Sequence, residues 1–272
     1  MRTARIGEVE VSRLVIGGNP FSGFSHQSKR RDEEMRAYFT NERIHQTLRD
    51  AEAAGINTLI ARTDEHIFGV LREYWDKGGT IQWIAQVVYH RGDSDVHRRW
   101  IGAAAELGAV AMYIHGGATD YWYGNGMLDL FGDALDRMRG RGVPGGFAGH
   151  MPDAHAWIRD NVRPDFQMCC YYRPTDRTLG PDHSNLDEKW SVEDRAAMLA
   201  VIATLPTPAI HYKVFGGGNR PIDEAFDVMG RSVRDGDIVC IGVFPKDDPQ
   251  ILAKDIAMFE QKVEGASEPA AR

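Results

Sequence analysis

Cysteine is scarce in this chain. Three occur among 272 residues, and two of them, Cys169 and Cys170, are adjacent. That set cannot build a disulfide framework, which points to a reduced compartment and a fold resting on its core. Long apolar runs are missing as well: none reaches the roughly 20 residues that a membrane span needs. The opening Met-Arg-Thr-Ala-Arg has no apolar stretch behind it, so no secretory signal is expected. Positive charge is in the minority, with 32 Lys and Arg against 39 Asp and Glu and a formal net charge of −7. Such a chain lacks the basic face that nucleic-acid phosphates require. There is no H-x-H, no H-E-x-x-H and no Cys/His zinc spacing. The expectation is a soluble cytoplasmic protein with a small-molecule partner, no nucleic acid and no membrane, and with room for a homo-oligomer.

What is present is a repeating pattern. Eight short apolar runs rich in β-formers recur: Leu14-Val-Ile-Gly-Gly18, Thr58-Leu-Ile-Ala61, Ile81-Gln-Trp-Ile-Ala-Gln-Val-Val88, Val110-Ala-Met-Tyr-Ile114, Gly145-Gly-Phe-Ala-Gly149, Phe166-Gln-Met-Cys-Cys-Tyr171, Ala209-Ile-His-Tyr-Lys-Val-Phe215 and Asp237-Ile-Val-Cys-Ile-Gly-Val243. Continuous apolar runs of this length are how buried parallel strands read, because helices cover them. The segments between look helical. Ile44, Thr47, Leu48 and Ala51 share one face of residues 43–54, and Gly55 follows as a stop. Ser191-Val-Glu-Asp194 resembles a capping box, and Pro221-Ile-Asp-Glu224 opens another helix with two acids in its first turn. Eight β–α alternations over about 250 residues predict a closed (β/α)8 TIM barrel, one domain over residues 1–272. An open doubly wound sheet is the competing fold, but Leu14-Val-Ile-Gly-Gly-Asn-Pro20 lacks its G-x-G-x-x-G turn. Residues 262–272 are expected to form a flexible tail.

Loop lengths separate the two ends. Helix-to-strand links are short, as at Gly55-Ile-Asn57 and Gly78-Gly79. The strand-to-helix stretches 19–40, 115–127 and 171–190 are long. Long loops in a compact domain are usually functional, and this end of a TIM barrel carries the active site.

Three stretches are similar to aldo-keto reductases: Arg5-Ile-Gly-Glu-Val-Glu-Val-Ser-Arg-Leu-Val-Ile-Gly-Gly-Asn-Pro-Phe-Ser-Gly23, Leu48-Arg-Asp-Ala-Glu-Ala-Ala-Gly-Ile-Asn57 and Phe244-Pro-Lys-Asp-Asp-Pro-Gln-Ile-Leu252. The resemblance implies the same barrel, with an N-terminal hairpin over residues 1–12 closing its bottom. It does not carry over the chemistry. The reductases place an Asp and a proton-donating Tyr after the second barrel strand, where this chain reads Ile60-Ala-Arg-Thr-Asp-Glu-His-Ile-Phe-Gly69. Their Lys at the end of the third strand has no counterpart in Ile84-Ala-Gln-Val-Val-Tyr-His90. Their NADPH phosphate motif retains Lys246, but Asp247 and Asp248 follow it. Carboxylates repel a phosphate, which argues against NADP and leaves no cofactor-binding residue assigned.

The strand ends supply a polar ring: Asn19, Arg62, Asp64, Glu65, Gln86, His115, His150, Tyr171 and Lys213. His115 and His150 each close an apolar strand, as general acid/base groups or as metal ligands; either can instead be a histidine bonded to a neighbouring carbonyl. Lys213 is rarely placed in an apolar strand without a task or a partner; the competing role is an ion pair with Asp64 or Glu65. Glu65 with His115 and His150 is the set that would hold Zn or Mn, if a divalent metal is bound. His26 sits in the first long loop. Gly216-Gly-Gly-Asn-Arg220 can present backbone N–H groups and Arg220 to an anion, or be a plain flexible turn. Trp122, between Tyr121 and Tyr123, and Tyr171 are expected as aromatic walls for a ligand, with packing inside a lid as the competing role. The reading that follows is an enzyme moving protons on a carbohydrate- or polyol-like molecule: an isomerase, epimerase, lyase or hydrolase. In it His115, His150, Lys213, Asp64 and Arg62 are catalytic, and Asn19, His26, Glu65, Gln86, Tyr171, Trp122 and Arg220 bind substrate. The alternatives are an NAD(P)H-dependent reductase with modified residues and a non-catalytic ligand-binding barrel.

Overall fold

A computed structural model describes residues 1–91, 93, 95–173, 175–176, 178 and 189–265. The chain opens with the antiparallel hairpin β1 (Thr3–Ile6) and β2 (Val9–Ser12). Eight strands follow: β3 (Leu14–Gly17), β4 (Thr58–Arg62), β5 (Gln82–Val87), β6 (Ala111–Ile114), β7 (Gly145–Gly149), β8 (Phe166–Cys170), β9 (Ala209–Tyr212) and β10 (Ile238–Ile241). Each pairs in parallel with its neighbour, and β10 closes on β3, so the sheet is a complete (β/α)8 barrel with no edge. The helices between strands include α1 (Lys29–Tyr38), α2 (Asn41–Ala53), α3 (Glu65–Asp76), α4 (Val96–Leu107) and α5 (Gly116–Gly124). The later ones are α6 (Asp129–Arg139), α7 (Pro152–Asn161), α8 (Val192–Ile202), α9 (Ile222–Ser232) and α10 (Ile251–Phe259).

Strand alternation sorts the side chains into two cores. Val15, Ile60, Ile84, Ala111, Phe166, Ile210 and Ile238 point inward and fill the barrel. Ala4, Ile6 and Val11 of the hairpin join that same cluster, so the hairpin closes the barrel's bottom. The intervening residues, such as Leu14, Leu59, Trp83, Met112 and Phe147, point outward and pack under the helices. Helix α2 shows how the sequence does this. Thr40 caps it by accepting from the Arg43 N–H, and Ile44, Thr47, Leu48 and Ala51 form its buried face. Burial of one such Leu or Ile contributes about 1.5–3 kcal/mol.

Two of the expected long loops contain helices. Stretch 19–40 holds α1, capped by Ser28, with Met35 its buried anchor. Stretch 115–127 holds α5, which runs back against β7. Neither announces itself in the sequence, because both bury few apolar positions at helical spacing: α1 is mostly charged, and α5 begins with two glycines. Most of stretch 171–190 lies outside the described residues. Residues 262–264, expected in a tail, are helical instead: Glu260–Glu264 continue α10 in one wider turn, with Val263 buried. Residues 266–272 lie outside the described residues. No helix among the described residues is long and apolar enough to cross a membrane.

Candidate active site

The strand C-terminal ends surround a cavity of about 460 Å³. Its floor is the upper layer of the barrel core, with Ile60, Tyr113, Ala148, Met168 and Cys240. Burial pushes the Cys240 thiol up to about 12 and raises the Tyr113 phenol well above its ordinary value. The floor is therefore uncharged at neutral pH, and the ionic chemistry belongs to the wall.

One wall is a hydrogen-bonded chain. His150 follows β7, and its ring is almost fully buried. Asp120 of α5, 1% exposed, accepts from the His150 backbone N–H at 3.0 Å and from its Nδ1–H at 2.7 Å. That fixes the tautomer and leaves Nε2 as the acceptor. The Tyr212 hydroxyl lies 3.3 Å from Nε2 and 3.4 Å from the Gly149 carbonyl. Tyr212 ends β9 on the inward face, two residues above Ile210, and lines the cavity. Asp120, His150 and Tyr212 thus connect a buried carboxylate to a hydroxyl at the cavity. Sequence reading found only the middle member. Asp120 had one available signal, a lone acid in the apolar segment Gly116-Gly-Ala-Thr-Asp-Tyr-Trp122. Tyr212 had the inward parity of its strand, which the adjacent Lys213 overshadowed.

Gly116 makes room for this chain. A Cβ there would lie 2.8 Å from the Tyr212 hydroxyl and 2.9 Å from His150 Cε1. Gly116→Ala is expected to destabilise by about 1–3 kcal/mol through overpacking and to displace the Tyr212 ring. Urea titration measures the first effect, and an unchanged midpoint would contradict it.

The opposite wall carries Lys213 and His26. By alternation Lys213 would face outward, but its φ of +53° turns it back over the cavity. His26 has φ +59°. Left-handed backbone at non-glycine residues is uncommon and clusters at functional sites. Here the two meet: Lys213 Nζ is 3.5 Å from His26 Nδ1, and His26 Nε2 is 3.4 Å from Asn19 Nδ2. Lys213 Nζ also lies 5.7 Å from the centre of the Trp190 ring. The first long loop is therefore tied to the end of β9, and Gln27 adds a bond to the Gly217 carbonyl at 2.8 Å.

Asn19, His26, Arg62, Gln86, His115, His150, Lys213 and Arg220 all line the cavity, so the structure brings them together. Four other expected residues lie elsewhere. Trp122 is fully buried between Tyr89, His97 and Phe131, because α5 turns it into the helix layer rather than toward the cavity. Tyr171 is fully buried on the outward face of the barrel and meets His211 Nδ1 at 3.0 Å. Asp64 caps α3 by accepting from Ile67 N–H at 2.9 Å and pairs with Arg62 Nε at 2.9 Å, so it holds Arg62 from behind. Glu65 is exposed in the first turn of α3.

Glu65 therefore does not join His115 and His150, and the described residues contain no group of three His, Cys, Asp or Glu that could hold a metal. Asp247 is paired with Arg31 of α1, and Asp248 with Lys254 at 2.6 Å, so the loop after β10 already neutralises its own carboxylates.

One carboxyl lines the outer part of the cavity. Asp255 of α10 is 3% exposed, and burial, with help from the Asp248 charge, raises it to about 7. Its unfolded value is about 3.9. Between these values the folded state holds a proton that the unfolded state has lost, so stability falls as pH rises from about 4 to 7 and stays low above. Asp255→Asn removes that penalty. We expect Tm to rise by about 4 °C or more at pH 8 and to change little at pH 4. Equal shifts at the two pH values would contradict the assignment.

No protein-family model matches the sequence, and no curated protein sequence is similar to it. Solved structures share the fold. A candidate aldo-keto reductase from Pseudomonas aeruginosa aligns over 96% of this chain and 95% of its own, with 16% identity and a TM-score of 0.60. A glycerol dehydrogenase from Gluconobacter oxydans aligns over 98% of this chain and 79% of its own, with 14% identity and a TM-score of 0.50. A phospho-2-dehydro-3-deoxyheptonate aldolase from Thermotoga maritima aligns over 97% of this chain and 72% of its own, with 15% identity and a TM-score of 0.52. At these identities the likeness establishes the TIM barrel alone.

Proposed function

We propose that this barrel is an enzyme that moves protons on a carbohydrate- or polyol-like small molecule at its open end. The observation that carries the reading is the chain from Asp120 through His150 to Tyr212, which ends at the cavity. A carboxylate behind Nδ1 orients the imidazole and stabilises its protonated form, while Nε2 takes or returns the proton of the tyrosine hydroxyl. Tyr212 then acts as the group that meets the substrate. His115, on the neighbouring strand end, serves as the second proton carrier. Lys213 and Arg62 stabilise the oxyanion or enediolate that forms when a carbon-bound proton leaves. Asn19 and Gln86 supply hydrogen bonds for substrate hydroxyls.

The test is incubation of the protein with aldoses, ketoses, alditols and their phosphates in D₂O, followed by proton NMR. An isomerase or epimerase should carry solvent deuterium into a C–H position, and a lyase or hydrolase should give new product resonances. Identical spectra with wild type and with His150→Gln across the whole panel would overturn the reading.

A further inference from the structure

Asp255 is the one acid among the described residues that line the cavity. It lies on the buried face of α10 with Leu252, Ile256 and Phe259, and 3% of it is exposed. The segments beside it in the chain give the cavity an apolar lining: Ile251 one turn earlier on α10, and Val243 and Phe244 between β10 and that helix. Among the described residues the Asp255 carboxyl has no hydrogen bond and no ion pair, and the charge that acts on it, from Asp248, is also negative. Lysine and arginine line the cavity from other elements. Arg62 ends β4, Lys213 and Arg220 follow β9, and Arg31 of α1 is paired with Asp247 and Glu34.

A carboxyl placed in this way is costly. Water has been stripped from it, no protein group donates to it, and a like charge is near, so it keeps its proton up to about 7. A donor brought by a ligand removes that cost. An ammonium group does so most fully, because it donates a hydrogen bond and neutralises the charge together. Such charge-assisted contacts are roughly twice as strong as neutral ones. A ligand hydroxyl offers the hydrogen bond without the charge. A ligand carboxylate would add a further negative group beside Asp248 and Asp255.

We infer that the ligand of this cavity carries an ammonium group, seated against Asp255 in the helix layer, at the end away from Tyr212. This rests on the proton-transfer reading for the part of the substrate at the strand ends, and adds its class: an amino sugar or amino polyol. Asp255 is then a specificity-determining residue. A contact made far from the reacting carbon also helps to hold that carbon against Tyr212.

The experiment measures calorimetric binding of three six-carbon polyols that differ in one terminal group: D-glucamine with an ammonium, D-sorbitol with a hydroxyl and D-gluconate with a carboxylate. It is run at pH 8 and constant ionic strength, where Asp255 is largely ionised and glucamine still holds its proton. Wild type is expected to bind D-glucamine about tenfold or more tightly than either of the others, because a desolvated charge pair forms. Asp255→Asn keeps the shape and removes the charge, so it should abolish the preference. The variant is expected to fold at least as well as wild type, so the loss reports binding rather than unfolding. Asp50→Asn, at an exposed position of α2, should leave the preference intact. Equal affinity for the three polyols, tighter binding of D-gluconate, binding of none of them, or a D-glucamine preference that survives Asp255→Asn would each overturn the inference. Turnover separates the two ideas. An Asp255-dependent preference for D-glucamine, with no His150-dependent exchange or product from any amino sugar or amino polyol, sinks the proton-transfer reading alone. His150-dependent turnover of a neutral sugar, with no preference for D-glucamine, sinks only the ammonium subsite.

Discussion

His150→Gln should slow turnover by about 10²–10⁴-fold, the usual worth of a positioned proton-transfer group. The substitution keeps a hydrogen-bonding side chain over Asp120 but removes the nitrogen that, in the proposed mechanism, exchanges protons with Tyr212. The fall belongs in kcat, because the imidazole acts after the substrate is seated. Tyr212→Phe removes the hydroxyl at the far end of the same chain and should cost a similar factor. Because the two groups work as one unit, the double variant should be little worse than either single one. Melting temperatures within a few degrees of wild type would show that the loss is chemical. A kcat within tenfold of wild type for His150→Gln, on whichever panel member turns over, would remove the chain from the mechanism.

The largest expected stability effect lies outside the cavity, at Asp237. This carboxylate is 1% exposed and accepts from Ala209 N–H, from Arg234 N–H, Nε and Nη2, and from His211 Nε2. Burial alone would raise its pKa, but the hydrogen bonds from His211 and Arg234 win, and it falls from 3.8 to about 2. A lowered carboxylate value means that the stabilisation is complete above the unfolded value of about 3.9 and is lost as pH falls toward 2. Asp237→Ala leaves Arg234 and His211 facing an empty acceptor site, which should cost about 3–5 kcal/mol at pH 7. That corresponds to a drop in Tm on the order of 10 °C. The gap between variant and wild type should narrow as pH drops from 4 to 2. A gap that stays constant over that range would mean that Asp237 contributes shape rather than charge.

The barrel is legible in the order of the residues alone. Eight apolar runs between amphipathic segments can bury their faces only if helices cover a parallel sheet, and Ile44, Thr47, Leu48 and Ala51 mark the covered face of α2 as their spacing predicts. That order also determines which strand ends are polar, because a side chain's face follows from alternation: Asn19, Arg62, Gln86, His115 and His150 all reach the cavity. The remaining placements depend on contacts between elements. Alternation fails where backbone leaves the β region, and Lys213 enters the cavity through a φ of +53° that no residue-type preference announces. The aromatic triplet at residues 121–123 reads as a loop until α5 forms, and the helix then buries Trp122 and delivers Asp120 to His150 across 30 residues of sequence. Tyr171 and Tyr212 look alike on paper, one at or beyond the end of each strand, yet one faces the helices and the other the cavity. Periodicity fixes what one element buries; which polar group meets which across the barrel mouth depends on pairings between elements, and those exist only once the barrel has closed.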